Sequence, residues 1–76
     1  MTQIIITEIK MVPVVSSCIM SIGTDGERLL VEFVRAGTYV YGYGSAKLFD
    51  QLLAARSKGK FVNSVLKPAY DGILFR

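Results

Sequence analysis

The chain of 76 residues has no histidine, no tryptophan and a single cysteine, Cys18. One thiol excludes an internal disulfide framework, and without histidine the common structural zinc sets are out of reach. The missing imidazole also removes the usual base that activates a serine or cysteine nucleophile. Cys18 therefore reads as a buried structural thiol on the apolar side of a strand. Carboxylates are few: Glu8, Asp25, Glu27, Glu32, Asp50 and Asp71. Asp25 and Glu27 flank a turn, where short acidic side chains stabilise the turn itself, and no spacing brings two acids together for proton transfer. The expectation is a protein without catalysis, cofactor, metal or small-molecule substrate. Long apolar runs are missing too. The longest uncharged stretch lies between Lys10 and Asp25 and is broken by Pro13 and several serines. It is too short and too polar to cross a bilayer, and the N-terminus lacks the basic-then-apolar order of a signal peptide. The reading is a soluble, cytoplasmic protein with no membrane partner.

What is present describes a small folded unit. Apolar residues make up 51% of the chain and charged residues 20%, which argues against disorder and for one modest core. Charge is unevenly placed. Residues 1–44 carry Lys10, Arg28 and Arg35 against Glu8, Asp25, Glu27 and Glu32, a net of −1. Residues 45–76 carry Lys47, Arg56, Lys58, Lys60, Lys67 and Arg76 against Asp50 and Asp71, a net of +4. A basic half suits a phosphate backbone or an acidic protein surface, although a solvated lysine face has the same composition.

Periodicity predicts an antiparallel meander followed by helix. Thr2–Ile9 is rich in β-branched residues and reads as a strand. Pro13 marks a sheet edge or an irregular crossing. Cys18, Met20 and Ile22 alternate onto one face of the next strand, and Asp25-Gly26 predicts a hairpin turn with both central residues at positive φ. The return strand, Arg28–Arg35, puts Leu29, Val31 and Phe33 on one side. Thr38–Tyr43 is a third strand, with Tyr39, Tyr41 and Tyr43 sharing a side. Gly44 breaks the pattern, and the Ser45 hydroxyl is placed to cap a helix over 46–57 whose apolar stripe holds Leu48, Leu52 and Ala55. Lys58-Gly59 reads as the helix stop. Phe61–Leu66 fits one further helical turn, ended by Pro68. The fold class is α+β: a small antiparallel β-meander of three to four strands with one main C-terminal helix packed on one face. Residues 1–11 form a β-prone extension and 12–76 the domain.

Two clusters carry the binding chemistry. On the tyrosine strand, Tyr39, Tyr41 and Tyr43 suit base stacking, worth about 1–3 kcal/mol per base, or packing beneath the helix with hydroxyls at the rim. Lys58 and Lys60 beside Phe61 form a basic loop, with Lys47, Arg56 and Lys67 as further cations able to meet phosphates or carboxylates. The same lysines suit a helix C-terminus. Backbone N–H groups at Gly44-Ser45-Ala46 would accept an anion if left free. The run 41–47 lacks both the Gly-Lys-Ser/Thr ending of a phosphate loop and the third glycine of a dinucleotide fingerprint.

Ser16-Ser17-x-Ile19, Ile22-Gly23-x-Asp25, Leu29-x-Val31-x-Phe33, Gly37-x-Tyr39-x-Tyr41 and Ala55-x-Ser57-x-Gly59-x-Phe61 follow one another in order. This ordered set resembles the KTSC domain over about residues 12–70, a family named after the C-terminus of some lysyl-tRNA synthetases and also found alone in small bacterial and phage proteins. The family's central Tyr-x-Tyr falls on Tyr39 and Tyr41. Its synthetase context implies RNA binding through association.

Two functions follow as expectations. One is a module that binds RNA, or a complex containing RNA, through the tyrosine face and the basic loop. The other is a small regulator, phage-encoded by analogy, that docks on RNA polymerase or another transcription or translation protein. Its contacts would be the basic loop or an extended arm carrying Ile4, Ile6, Glu8 and Lys10.

Overall fold

A computed structural model describes residues 9–75. Five strands form one antiparallel sheet in sequential order: β1 (Val12–Pro13), β2 (Ile19–Thr24), β3 (Leu29–Phe33), β4 (Gly37–Tyr41) and β5 (Gly72–Leu74). Between β4 and β5 the chain runs through a 3₁₀ turn (Ser45–Leu48) and α1 (Phe49–Ala54). It continues through α2 (Lys58–Phe61), a π-helical turn (Val62–Leu66) and α3 (Lys67–Ala69). The α+β meander stands, with β5 as a strand beyond the expected three to four. Its burial pattern is exposed throughout, so no alternation of hydrophobic residues announces it. The N-terminal strand expected over residues 2–9 falls almost wholly outside the described residues, as do Ile4, Ile6 and Glu8.

The helices cover one face of the sheet. Ile19, Ile22, Leu29, Val31 and Tyr41 from the strands meet Leu48, Leu52, Val62 and Leu66 in a single buried cluster. At about 25 cal/mol per Å² of apolar surface removed from water, this layer is the main stabilising term. Leu30 and Val40 belong to the opposite face, in register with each other and then with Ile73 of β5.

The expected alternation in β2 is corrected. Ile19 pairs with Phe33 but Ser21 pairs with Glu32, so Met20 is an extra residue in a bulge. A bulge shifts the period by one. Ile19 and Ile22 therefore both reach the core, Met20 is half exposed, and Ser21 on the other face donates to Glu32 Oε1 at 2.6 Å. Cys18 lies before the strand and is exposed, not a buried thiol.

The β2–β3 connection also differs from the two-residue hairpin. Thr24 pairs with Leu29 across a four-residue loop closed by Asp25 N–H to Arg28 O at 3.2 Å. Within this loop only Gly26 has positive φ, at 100°. Asp25 Oδ1 accepts from the amides of Glu27 and Arg28, and its Oδ2 meets the Arg28 guanidinium at 2.8 Å. Side-chain acceptance replaces left-handed backbone in holding the turn.

The helical region is cut in a different place from the expected one. Ala55 is already extended and closes α1, and Ser57 begins the next helix by accepting from Lys60 N–H at 3.4 Å. Lys58-Gly59 is thus a start where the composition resembled a stop. An N-capping serine outweighed the breaking tendency of glycine. Pro68, expected to end the helix, sits at the first positions of α3 instead. The wider π turn precedes it, and such a turn rearranges the carbonyl ladder that a proline lacking N–H cannot join.

Candidate nucleic-acid interface

The tyrosines part company along β4. Tyr39 and Tyr41 face the helices: Tyr41 is 2% exposed in the core, and Tyr39 packs against it while meeting the Phe33 ring edge-on at 5.7 Å. Burial first, and then the neighbouring Tyr39, pushes the Tyr41 hydroxyl above its ordinary pKa. Tyr43 lies beyond the strand end, 71% exposed, with the Arg28 guanidinium 5.1 Å from its ring centre. Of the two expected roles, packing beneath the helices holds for Tyr41, and a stacking face of all three tyrosines does not form. Tyr41 is committed to the core, Tyr39 is half-buried against it with its ring partly open, and Tyr43 holds an arginine.

Free amides at Gly44-Ser45-Ala46 are corrected as well. Gly44 and Ala46 N–H both donate to Glu27 O, at 2.8 and 3.3 Å, and Ser45 N–H donates to Gly42 O. Gly44, at φ 93°, rather than Ser45 is the residue before the 3₁₀ turn. The Ser45 hydroxyl is fully buried and accepts from Leu29 N–H at 2.7 Å, fastening the helix start to β3.

The expected cations occupy several places. Lys47 borders a shallow depression with Gly26 and Glu27, Lys60 and Lys10 are exposed, and Arg56, Lys58 and Lys67 lie along one trough. The trough is three shallow clefts chained by shared residues. The first, about 160 Å³, lies between Ser16–Cys18 and Arg56–Gly59. Ser17 and Cys18 continue into the second, about 240 Å³, which adds Phe33, Arg35 and Ala36. Phe33 and Ala36 continue into the third, about 180 Å³, with Tyr39, Tyr41 and Lys67. Four cations and three aromatic side chains border this path, and none of its described lining residues is a carboxylate.

Local structure positions each part. The Ser16 hydroxyl accepts from the amides of Cys18 and Ile19, both at 3.3 Å, and shapes the bend before β2. Gly59 lets that bend approach the helix start: a Cβ there would stand 2.7 Å from Cys18 Sγ. Lys58 Nζ donates to Ala55 O at 2.9 Å and closes α1, which holds its charge at the cleft rim. Arg35 and Phe33 come from β3 and the turn after it. Sequence reading missed Arg35, Phe33 and the serines as one site because they converge only through the sheet. The Ser16-Ser17 and Ser57-x-Gly59 motifs were the available signal.

Among the described residues, no group of three histidine, cysteine, aspartate or glutamate side chains converges to hold a metal ion. No described helix is long and apolar enough to cross a membrane.

Comparison with known proteins places the two motif-bearing walls of the first cleft inside one family. A protein of Tsukamurella paurometabola is 42% identical over 65 residues, covering 83% of this chain and 97% of that protein. The crystal structure of a KTSC domain protein from Yersinia pestis superposes with a TM-score of 0.82 at 31% identity, covering 91% of this chain and all of the other. The KTSC domain model matches residues 15–70, running from the Ser16 bend to Tyr70 beyond α3, and the chain belongs to the KTSC domain family.

Proposed function

We propose that this KTSC protein is a non-catalytic, cytoplasmic module that binds single-stranded RNA, or a complex containing it, along the trough from Arg56 to Lys67. The observation that carries the reading is the succession of cations along three clefts that share lining residues: Arg56, Lys58, Arg35 and Lys67 border them, and no carboxylate is among their described lining residues. A strand of phosphates needs spaced cations more than a deep pocket, and partly exposed rings such as Phe33 and Tyr39 offer edges and faces to bases. This replaces the tyrosine-ladder mode with one in which charge leads and aromatic contact is secondary.

The test is fluorescence anisotropy of a labelled single-stranded RNA across a salt series. Each phosphate neutralised adds about −0.7 to the slope of log affinity against log salt for single strands, so four engaged cations give a slope of about −3. Arg35→Glu with Lys67→Glu should weaken binding strongly, while Lys47→Glu, outside the trough, should change it little. Affinity that stays flat with salt would overturn the reading. Capture of one protein complex from lysate that survives nuclease would select docking on a transcription or translation protein instead.

A further inference from the structure

Strand β5 is an edge, and among the described residues nothing pairs beyond it. Ile73, Leu74 and Phe75 are 72%, 56% and 63% exposed. Gly42 N–H donates to Asp71 O, and Phe75 N–H donates to Thr38 O at 2.7 Å. Antiparallel ladders alternate, so residues 71, 73 and 75 turn their backbone groups toward β4, while Gly72 and Leu74 turn theirs outward. Natural edges are normally blunted by shortness, proline, lysine or a bulge, and of these β5, at three residues, has shortness alone. The opposite edge, β1, contains Pro13, whereas Gly72 to Phe75 contains neither charge nor proline.

We infer that β5 is a pairing edge for a second copy of this chain, antiparallel about a two-fold axis through Ile73. That register is the one that uses both outward residues: Gly72 of each copy exchanges hydrogen bonds with Leu74 of the other. Four backbone hydrogen bonds close, and the two five-stranded sheets become one. The side chains are self-complementary in the same register. Gly72 and Leu74 lie on the helix-covered face, in register with Tyr41 and Tyr39. Each Leu74 then stands opposite a residue with no side chain, where the Tyr41 ring forms the floor. On the other face the two Ile73 side chains meet directly. They extend the apolar groove of about 390 Å³ that Leu30, Val40, Ile73 and Phe75 line. No like charges oppose each other from Gly72 to Phe75, which a symmetric contact requires. The contact is short, so it belongs with weak, transient interfaces.

Sedimentation equilibrium of the full chain from about 10 µM to about 1 mM, a range matching weak association, reads the effect. The average mass should rise toward the dimer, and Ile73→Lys, at an exposed site, should remain monomeric with unchanged far-UV circular dichroism. Paired non-hydrogen-bonded residues lie about 4.5 Å apart at Cα, within disulfide range. Ile73→Cys in a Cys18→Ser background should therefore oxidise to a covalent dimer, which decides the matter even if the lysine variant fails to fold. A monomer throughout with no cross-link overturns the inference. A dimer that Ile73→Lys leaves intact, or one that an Ile4→Asp, Ile6→Asp chain loses, also overturns it by assigning another face or the N-terminal arm to the contact.

Discussion

The Tyr41 ring lies against Gly72 so closely that a Cβ at position 72 would stand 2.5 Å from its Cε1. Tyr41 is part of the core and Gly72 begins β5, so this contact joins the outermost strand to the interior. Gly72→Ala should destabilise by about 1–3 kcal/mol, the usual cost of overpacking. Thermal melting measures the loss, and it should be larger than for Gly26→Ala, where no atom lies within 4 Å of the added carbon and only the backbone conformation resists.

Ser45→Ala should be costly despite its small change in volume. The Leu29 amide is buried and has the Ser45 hydroxyl as its acceptor. An unpaired buried N–H costs about 1–3 kcal/mol. Urea unfolding of Ser45→Ala against Ser45→Thr tests the hydroxyl, because threonine keeps the acceptor at the cost of an added methyl in a buried site and should retain part of the stability.

Tyr41 makes the fold sensitive to alkali. Its folded pKa is raised, by burial first and by Tyr39 second, so the folded state favours the protonated hydroxyl. That contribution is complete below the unfolded value of about 10 and is lost as pH rises through the folded value. The melting temperature should fall steeply above about pH 10. In Tyr41→Phe the fall should be shallower, as a titration of melting temperature for both proteins would show.

Asp25 acts at the other end of the scale. Burial works against its charge, but the Arg28 and Glu27 amides and the Arg28 guanidinium together hold the carboxyl below its ordinary range. Its contribution is therefore present above the unfolded value of about 3.9 and is lost as pH falls through the folded one. Asp25→Asn should lower stability at neutral pH and flatten the acid limb of the stability profile. Equal acid limbs in the two proteins would count against this account.

The sheet was legible where apolar residues recur at period two, even though both faces of β3 are buried at Leu29, Leu30 and Val31. Leu29, Val31 and Phe33 face the core side as their spacing predicts, and Pro13 marks an edge strand. What escaped was set by tertiary contacts. The bulge at Met20 shifts the β2 period and exposes Cys18, and no local property of those residues announces it. Ser57 and Gly59 carry opposite helix signals; the capping serine prevails, and Gly59 is needed for the close approach of the Cys18 bend instead. The cations at Arg56, Lys58 and Lys67 were visible as charge. Their alignment with Arg35 depends on which turn ends beside which helix, and composition holds no record of that.

One carbonyl, that of Glu27, receives both Gly44 and Ala46 amides. The tip of the β2–β3 hairpin and the onset of the helical region therefore form one cooperative unit rather than two neighbouring ones. In hydrogen exchange, protection at Gly44 and Ala46 should rise and fall together with that at Arg28, whose amide Asp25 holds in the same loop. An insertion between Asp25 and Arg28, at an exposed tip where extra residues are ordinarily harmless, would here be transmitted to the far side of the sheet and loosen the first helical turn.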